Sequence, residues 1–283
     1  MIRGLPWLAL ALFEIALIAL AGSPSAAGEL VAACGIAIAA AHMLMAYGRR
    51  DTLAYLLICL LITFTMENIG IASGFPFGHY HFEVLPMLPH IGTVPIIVGP
   101  LYFGMGYMAW VVAGTLLDDA HRRLDRPFLV LALPIVAAFV MVQWDVAMDP
   151  AFSTLGKAWI WHDGGGYFGV PLSNFLGWYL TVWLFFQAFA AYLYRRHKPG
   201  AEQTRARGRA FWLVPILLYL GVALSQAIPW LLRRGGDAVD GAGQHWNALA
   251  LHETTATVML FTMLYTSVLA LLRWHMRGAI DLQ

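Results

Sequence analysis

Charge is what this sequence has least of. Asp, Glu, Lys and Arg make up 12% of its 283 residues, against 60% hydrophobic, and the mean hydropathy is +0.68. A soluble domain carries roughly twice that charged share. The net charge of +1 gives no reason to expect a nucleic-acid partner. Cysteine is nearly missing: Cys34 and Cys59 both lie inside apolar runs and make neither a disulfide framework nor a metal site. Familiar signatures are missing too. There is no Walker loop and no nucleophile elbow. The histidine boxes of membrane di-iron hydroxylases and desaturases do not occur, because the ten histidines are scattered. His252-Glu253 fails the zinc-protease pattern, since position 256 is Ala. Gly164-Gly165-Gly166-Tyr167-Phe168-Gly169 spells G-x-G-x-x-G, yet no strand precedes it and no acidic residue lies about twenty residues on. It reads as a flexible turn that lets backbone approach a flat ligand.

What the sequence does have is apolar length. Runs long enough to span a bilayer recur at about 5–21, 28–47, 52–69, 92–117, 127–147, 171–194, 210–232 and 248–272. The fold class is therefore all-α: a polytopic integral membrane protein of about eight transmembrane helices, forming a single transmembrane domain over 1–283. Arginine placement gives the sidedness. With the N-terminus inside, one side holds Arg3, Arg49, Arg50, Arg122, Arg123, Arg126, Arg195, Arg196, Lys198, Arg205, Arg207, Arg209, Arg273 and Arg277. The other side holds only Lys157, Arg233 and Arg234. The positive-inside rule then puts both termini in the cytoplasm. The first segment has a rival reading as a cleaved signal peptide, because Arg3, an apolar core and Ala-Gly-Ser-Pro-Ser-Ala-Ala follow one another. Glu14 in the middle of that core favours a retained helix.

The two faces differ in kind. Basic, polar turns mark the cytoplasmic side, and the stretch Arg195 to Arg209 reads as a solvated loop facing anionic lipid heads. The extracytoplasmic loops 70–91 and 148–170 are long and rich in Gly, Pro, His and aromatic residues. Structureless loops of that length are uncommon unless they are functional. An aromatic belt at the interface accounts for some of Trp144, Trp159, Trp161 and Trp178, but not for the carboxylates beside them. Glu67-Asn68 closes one apolar run and leads into Gly70-Ile-Ala-Ser-Gly74-Phe-Pro76-Phe-Gly78-His79-Tyr80. Asp145 and Asp149 close another, ahead of the second loop. Val94-Pro95 and Val170-Pro171 then open the next helices. This weak internal echo predicts that the two loops meet over one shared site.

Ionisable groups at membrane depth are expensive and usually functional. Asp145 and Asp149 are four apart, on one face of a helix that Pro150 is expected to end. Two close carboxylates in a low dielectric resist double ionisation, so the pair predicts a neutral acid beside a base, the equipment for proton transfer without metal or cofactor. The bland reading has Asp149 capping the loop and Asp145 paired with Lys157 or an arginine. Glu67 and Asn68 have their own bland reading, satisfying backbone freed at a helix end. Asn174 and Gln143 stand near outer helix ends, where they orient a water or bind a hydroxyl, or simply join helices. Six histidines fall on the outer side: His79, His81, His90, His162, His245 and His252.

The ordered set Glu67-Asn-Ile-Gly70, Gly74-Phe-Pro76-Phe-Gly78-His-Tyr80, Gly92-Thr-Val-Pro95, Asp145, Asp149-Pro150, Gly156, Trp159-Ile-Trp161 and Gly166-Tyr-Phe-Gly169-Val-Pro171-Leu-Ser-Asn174-Phe-Leu-Gly177-Trp178 resembles the membrane carotenoid-biosynthesis family. That family includes bisanhydrobacterioruberin hydratases and γ-carotene 1′,2′-hydratases. The resemblance covers roughly residues 50–195 and transfers no catalytic assignment. It implies a cofactor-free hydratase that adds water to the terminal 1,2 double bond of a ψ-end carotenoid of lycopene, γ-carotene or C50 type. The partners implied are that carotenoid and membrane lipid, and the expected location is a bacterial cytoplasmic membrane. Protonating a trisubstituted alkene makes a tertiary cation, which needs a neutral acid, an aromatic wall and a base for the incoming water. Asp145 and Asp149 suit the acid and Glu67 the base or water-holder. Asn68, His79, Tyr80, Trp144, Trp161, Asn174 and Trp178 are the candidate substrate-binding residues, and no metal is expected. Two other readings stay open: a metal-dependent polyene oxygenase using the outer histidines, and a non-enzymatic carotenoid or lipid binder or transporter.

Overall fold

The computed structural model describes residues 5–20, 26–83, 88–197 and 201–280. Arg3, Lys198 and residues 21–25 of the signal-like stretch lie outside the described residues. In chain order the helices are α1 (Leu5–Leu20), α2 (Ala26–Ser73), α3 (Val98–Leu116), α4 (Pro127–Asp149), α5 (Leu172–Arg196), α6 (Leu213–Ser225), α7 (Ile228–Leu231), α8 (Ala248–Met259) and α9 (Tyr265–Ile280). Among the described residues, three short antiparallel ribbons accompany them: β1 (Tyr80–Phe82) with β4 (Trp159–Trp161), β2 (His90–Ile91) with β3 (Val94–Pro95), and β5 (Asp237–Val239) with β6 (His245–Asn247).

Among the described residues, five helical stretches are long and apolar enough to cross a membrane: Ala27–Ser73, Pro127–Leu155, Leu172–Arg196, Arg209–Leu231 and Ala248–Arg277. Large apolar side chains such as Leu61, Phe128, Phe139, Leu172, Leu176 and Phe261 are exposed on these helices. Exposed apolar surface on that scale suits lipid rather than water. The chain is an all-α polytopic membrane protein.

The longest helix is two helices. Gly48 interrupts α2 with φ 77° and ψ 174°, a left-handed conformation that a side chain would strain. The packing of α3 shows what the break does. Along α3, Gly104 meets Ile36, Tyr107 meets His42 and Trp110 meets Tyr47, so this half of α2 rises with α3. In the other half the order falls, with Gly99 beside Phe64 and Gly106 beside Tyr55. The halves are therefore antiparallel, joined through the short Tyr47-Gly-Arg-Arg-Asp51 segment. Asp51 locks the turn by accepting hydrogen bonds from Tyr192 Oη at 2.8 Å and from the Arg196 guanidinium. Between the halves α3 is buried along almost its whole length, and its glycines admit the neighbouring helices closely.

Four boundaries differ from the sequence reading. The helix bearing Glu67 runs on to Ser73. Helix α3 starts at Val98, not Gly92, because residues 90–95 form the β2–β3 ribbon. Asn68 diverts them: its Nδ2 donates to Ile91 O at 3.0 Å, and Thr93 N donates to its Oδ1 at 2.9 Å. Pro150 does not end its helix. The chain continues as a π-helical turn over Pro150–Leu155, with Gly156 N donating to Ala151 O at 2.9 Å. A proline at the first position of the wider turn gives up no hydrogen bond that the turn needs. The run expected at 210–232 is also broken, into a 3₁₀ turn at Arg209–Trp212, α6 and α7.

Candidate functional site

Antiparallel neighbours put the C-terminal turns of α2 and the first turns of α3 at one depth, and Glu67 and Tyr102 meet there. Glu67 is 4% exposed. Tyr102 Oη donates to its Oε1 at 2.6 Å, and Tyr80 Oη donates to its Oε2. Both carboxylate oxygens thus carry a phenolic donor. Burial, reinforced by the adjacent Glu67 charge, pushes the Tyr80 phenol up, so it remains a protonated donor.

Asp145 and Asp149 occupy the last turn of α4, both buried. Their four-residue spacing puts the two carboxyl groups on one face of the helix. Asn174, in the first turn of α5, clamps the pair: its Nδ2 donates to Asp149 Oδ2 at 2.5 Å and to Asp145 Oδ2 at 3.2 Å. The two Oδ1 atoms are buried and have no further hydrogen-bond partner among the described residues. Glu67 lies within electrostatic reach of both aspartates. The bland pairing with Lys157 does not form, since that Nζ donates to Val239 O. Three carboxyl groups from two loop-bearing helix ends therefore share one low-dielectric region without a cation among the described partners.

The loops close over this region. In the β1–β4 ribbon Tyr80 pairs with Trp161 and Phe82 with Trp159. Phe77, Tyr80, Trp161 and Val170 form a buried aromatic roof, against which Trp178 and Tyr167 pack. Trp161 Nε1 donates to Phe77 O at 3.0 Å. Gly177 makes the roof fit, because a Cβ there would stand 2.7 Å from Phe77 Cδ1. Below it, Trp178 stacks on Tyr102 with ring centroids 4.5 Å apart. Tyr167 Oη donates to Val146 O at 3.2 Å, and burial, then the charge of Asp149, pushes its phenol up to about 12.

The structure thus gathers Glu67, Asp145, Asp149, Tyr80, Trp161, Asn174 and Trp178. It places three other candidates apart. Asn68 spends its amide on Phe64, Ile91 and Thr93. Trp144 packs against the main helical core, away from the aromatic roof. His79 sits on the exposed rim, 3.4 Å from Asp163. Gln143 Oε1 accepts from Tyr219 and Thr266, both at 3.0 Å, and joins helices. Among the histidines expected on the outer side, His81 Nδ1 meets His162 Nε2 at 2.7 Å, while His81 Nε2 meets Glu83 Oε1 at 3.0 Å. His90 and His245 are exposed in separate ribbons, and His252 is buried on α8. No group of three or more His, Cys, Asp or Glu among the described residues has a metal-holding arrangement.

Tyr102, Phe77 and Tyr167 belong to the site without having been singled out in the sequence. Tyr102 had a signal: a phenol in an apolar helix needs a partner, and Glu67 stands at matching depth on the preceding helix. Phe77 and Tyr167 stand inside the motifs that carry the resemblance, but nothing sets them apart from other loop aromatics, which are common at membrane interfaces.

Residues 27–238 match the family model described as carotenoid biosynthesis protein. A bisanhydrobacterioruberin hydratase from Haloarcula japonica is 28% identical over 135 residues, which cover 47% of this chain and 42% of that protein. The chain thus matches less than half the length of that relative. No solved structure matches.

Proposed function

The chain belongs to the carotenoid biosynthesis protein family, and from that premise we propose that it hydrates the terminal 1,2 double bond of a ψ-end carotenoid by carboxylate acid–base catalysis. One observation carries the reading: Asp145 and Asp149 are buried, clamped by one amide and uncompensated by any cation among their described partners. Such a pair holds a proton between its members more readily than it ionises twice. That proton goes to C2 of the alkene, and the cation forms at the tertiary C1. Water attacks C1 and gives up a proton either directly to the aspartate that donated one or to Glu67, which passes it back to the aspartate pair, so the starting protonation state is restored. Tyr80, Trp161 and Trp178 supply aromatic faces to the developing cation. The hydratase named among the relatives supports the reaction class.

The polyene reaches the site from the bilayer, in one transmembrane domain of eight spans with both termini cytoplasmic. Arginine placement supports that orientation. The test is expression in a bacterium that makes lycopene or γ-carotene, with mass spectrometry of the pigments. The expected result is a carotenoid gained by one water. An unchanged profile with both substrates contradicts the proposal.

A further inference from the structure

One inner face of α2 carries polar groups at helical intervals: Glu67, Thr63, Cys59 and Tyr55, four residues apart and all buried. Below Glu67 these groups lack good partners. Among the described residues, the polar contact of Thr63 is the weakly bonding Cys59 thiol. The Tyr55 hydroxyl has no hydrogen-bond partner among the described residues. It lies so close to Gly106 that a Cβ at that position would stand 2.5 Å from it. The Tyr55 hydroxyl is also within electrostatic reach of Cys59 and Tyr107. Tyr107 Oη in turn meets His42 Nδ1 at 2.7 Å, and His42 Nε2 donates to Phe211 O at 2.8 Å.

Helix α5 repeats the pattern. Thr181 is fully buried, and its Oγ1 has no partner among the described residues. It stands two turns from Asn174, which clamps the aspartates, and one turn from Phe185, whose ring packs edge-on to Tyr55. Unpartnered hydroxyls therefore occur along the interior between the carboxyl cluster and the Tyr107–His42 pair. A buried hydroxyl without a partner is destabilising. Buried polar groups in folded proteins are bonded, and an internal water is the usual remedy.

We propose that Thr63, Tyr55 and Thr181 hold a file of internal waters between α2, α3 and α5, which leads from the Tyr107–His42 end to Glu67 and supplies the co-substrate water. The file is argued from the unpartnered hydroxyls, and its purpose rests on the hydratase reading. The aromatic roof bars the direct path from the outer surface, since Phe77, Tyr80, Trp161 and Val170 are all buried above Glu67. Water entering from the opposite end meets hydroxyls along the way.

Two measurements on the full-length protein test this. The first is X-ray radiolytic hydroxyl labelling, in which radicals born from bound water mark the side chains beside it. Tyr219 is the control, equally buried but bonded to Val140 O at 2.9 Å and to Gln143. Tyr55 is expected to be labelled several times faster than Tyr219; equal rates overturn the file. The second compares turnover. Thr63→Val with Thr181→Val is expected to lower kcat about tenfold, the equivalent of one lost hydrogen bond, with KM unchanged and Thr63→Ser restoring the rate. Wild-type turnover in the double valine variant overturns the supply role. If the wild type hydrates nothing, the hydratase reading fails, while the labelling result still decides whether the waters are there.

Discussion

The two carboxylate-bearing helix ends look alike in sequence and differ in the folded site. Glu67 has both oxygens engaged, one by Tyr102 and one by Tyr80. Asp145 and Asp149 have only Asn174 between them among the described residues, and each leaves one oxygen without a partner there. Two phenols stabilise a negative carboxylate, because hydrogen bonds to an ionised group are the strong ones. A single shared amide leaves two buried carboxyl groups side by side with no cation among their described partners, an arrangement that resists double ionisation. On the proposed reading, the same functional group serves as a held base at one helix end and as a held acid at the other. Environment decides the role, not the chemistry of the carboxyl.

The sharpest way to break this contrast is Asp149→Asn. It removes the shared proton while keeping size, and turnover should fall by about a thousandfold, within the range for losing a general acid. Pigment analysis reads that loss, and circular dichroism checks that the helices survive. Glu67→Gln should cost less, about a hundredfold, since either aspartate is able to take a proton back from water. Equal losses in the two variants would erase the division of labour. Tyr102→Phe removes one of two donors to Glu67 and should slow turnover about tenfold, the equivalent of one hydrogen bond to a charged group. Gly177→Ala leaves every carboxyl contact in place but forces Phe77 to move, so it should cost about 1–3 kcal/mol of stability, measured as a lower thermal midpoint in detergent. Lys157→Met, remote from the carboxyl groups, should change stability by no more than about 0.5 kcal/mol and leave turnover unaltered.

Much of the helical framework is legible in the sequence because lipid demands it. A segment like Leu172–Arg196 has to be apolar and long, and its limits show. Helix α3 shows as an apolar run for the same reason, although its glycines and tyrosines mark it as an interior helix and not a lipid-facing one. Side chains set the boundaries that the sequence does not show. Asn68 holds residues 90–95 in a ribbon that no periodicity announces. Pro150 reads as a stop, yet a π-helical turn absorbs it. In the site, Asp145, Asp149 and Asn174 are legible as polar groups out of place in apolar helices. The dual engagement of Glu67 is not, because Tyr80 comes from a loop and Tyr102 from a later helix. Trp144 shows the opposite limit: adjacency to Asp145 in sequence points its ring elsewhere, since neighbours on a helix face different directions.

Isotope tracing tests the central claim most directly. The purified protein, given its carotenoid in water enriched in ¹⁸O and deuterium under ordinary air, should form a product with one ¹⁸O at C1 and one deuterium at C2. A product whose hydroxyl oxygen comes from molecular oxygen, or one without deuterium at C2, would contradict an acid-catalysed hydration.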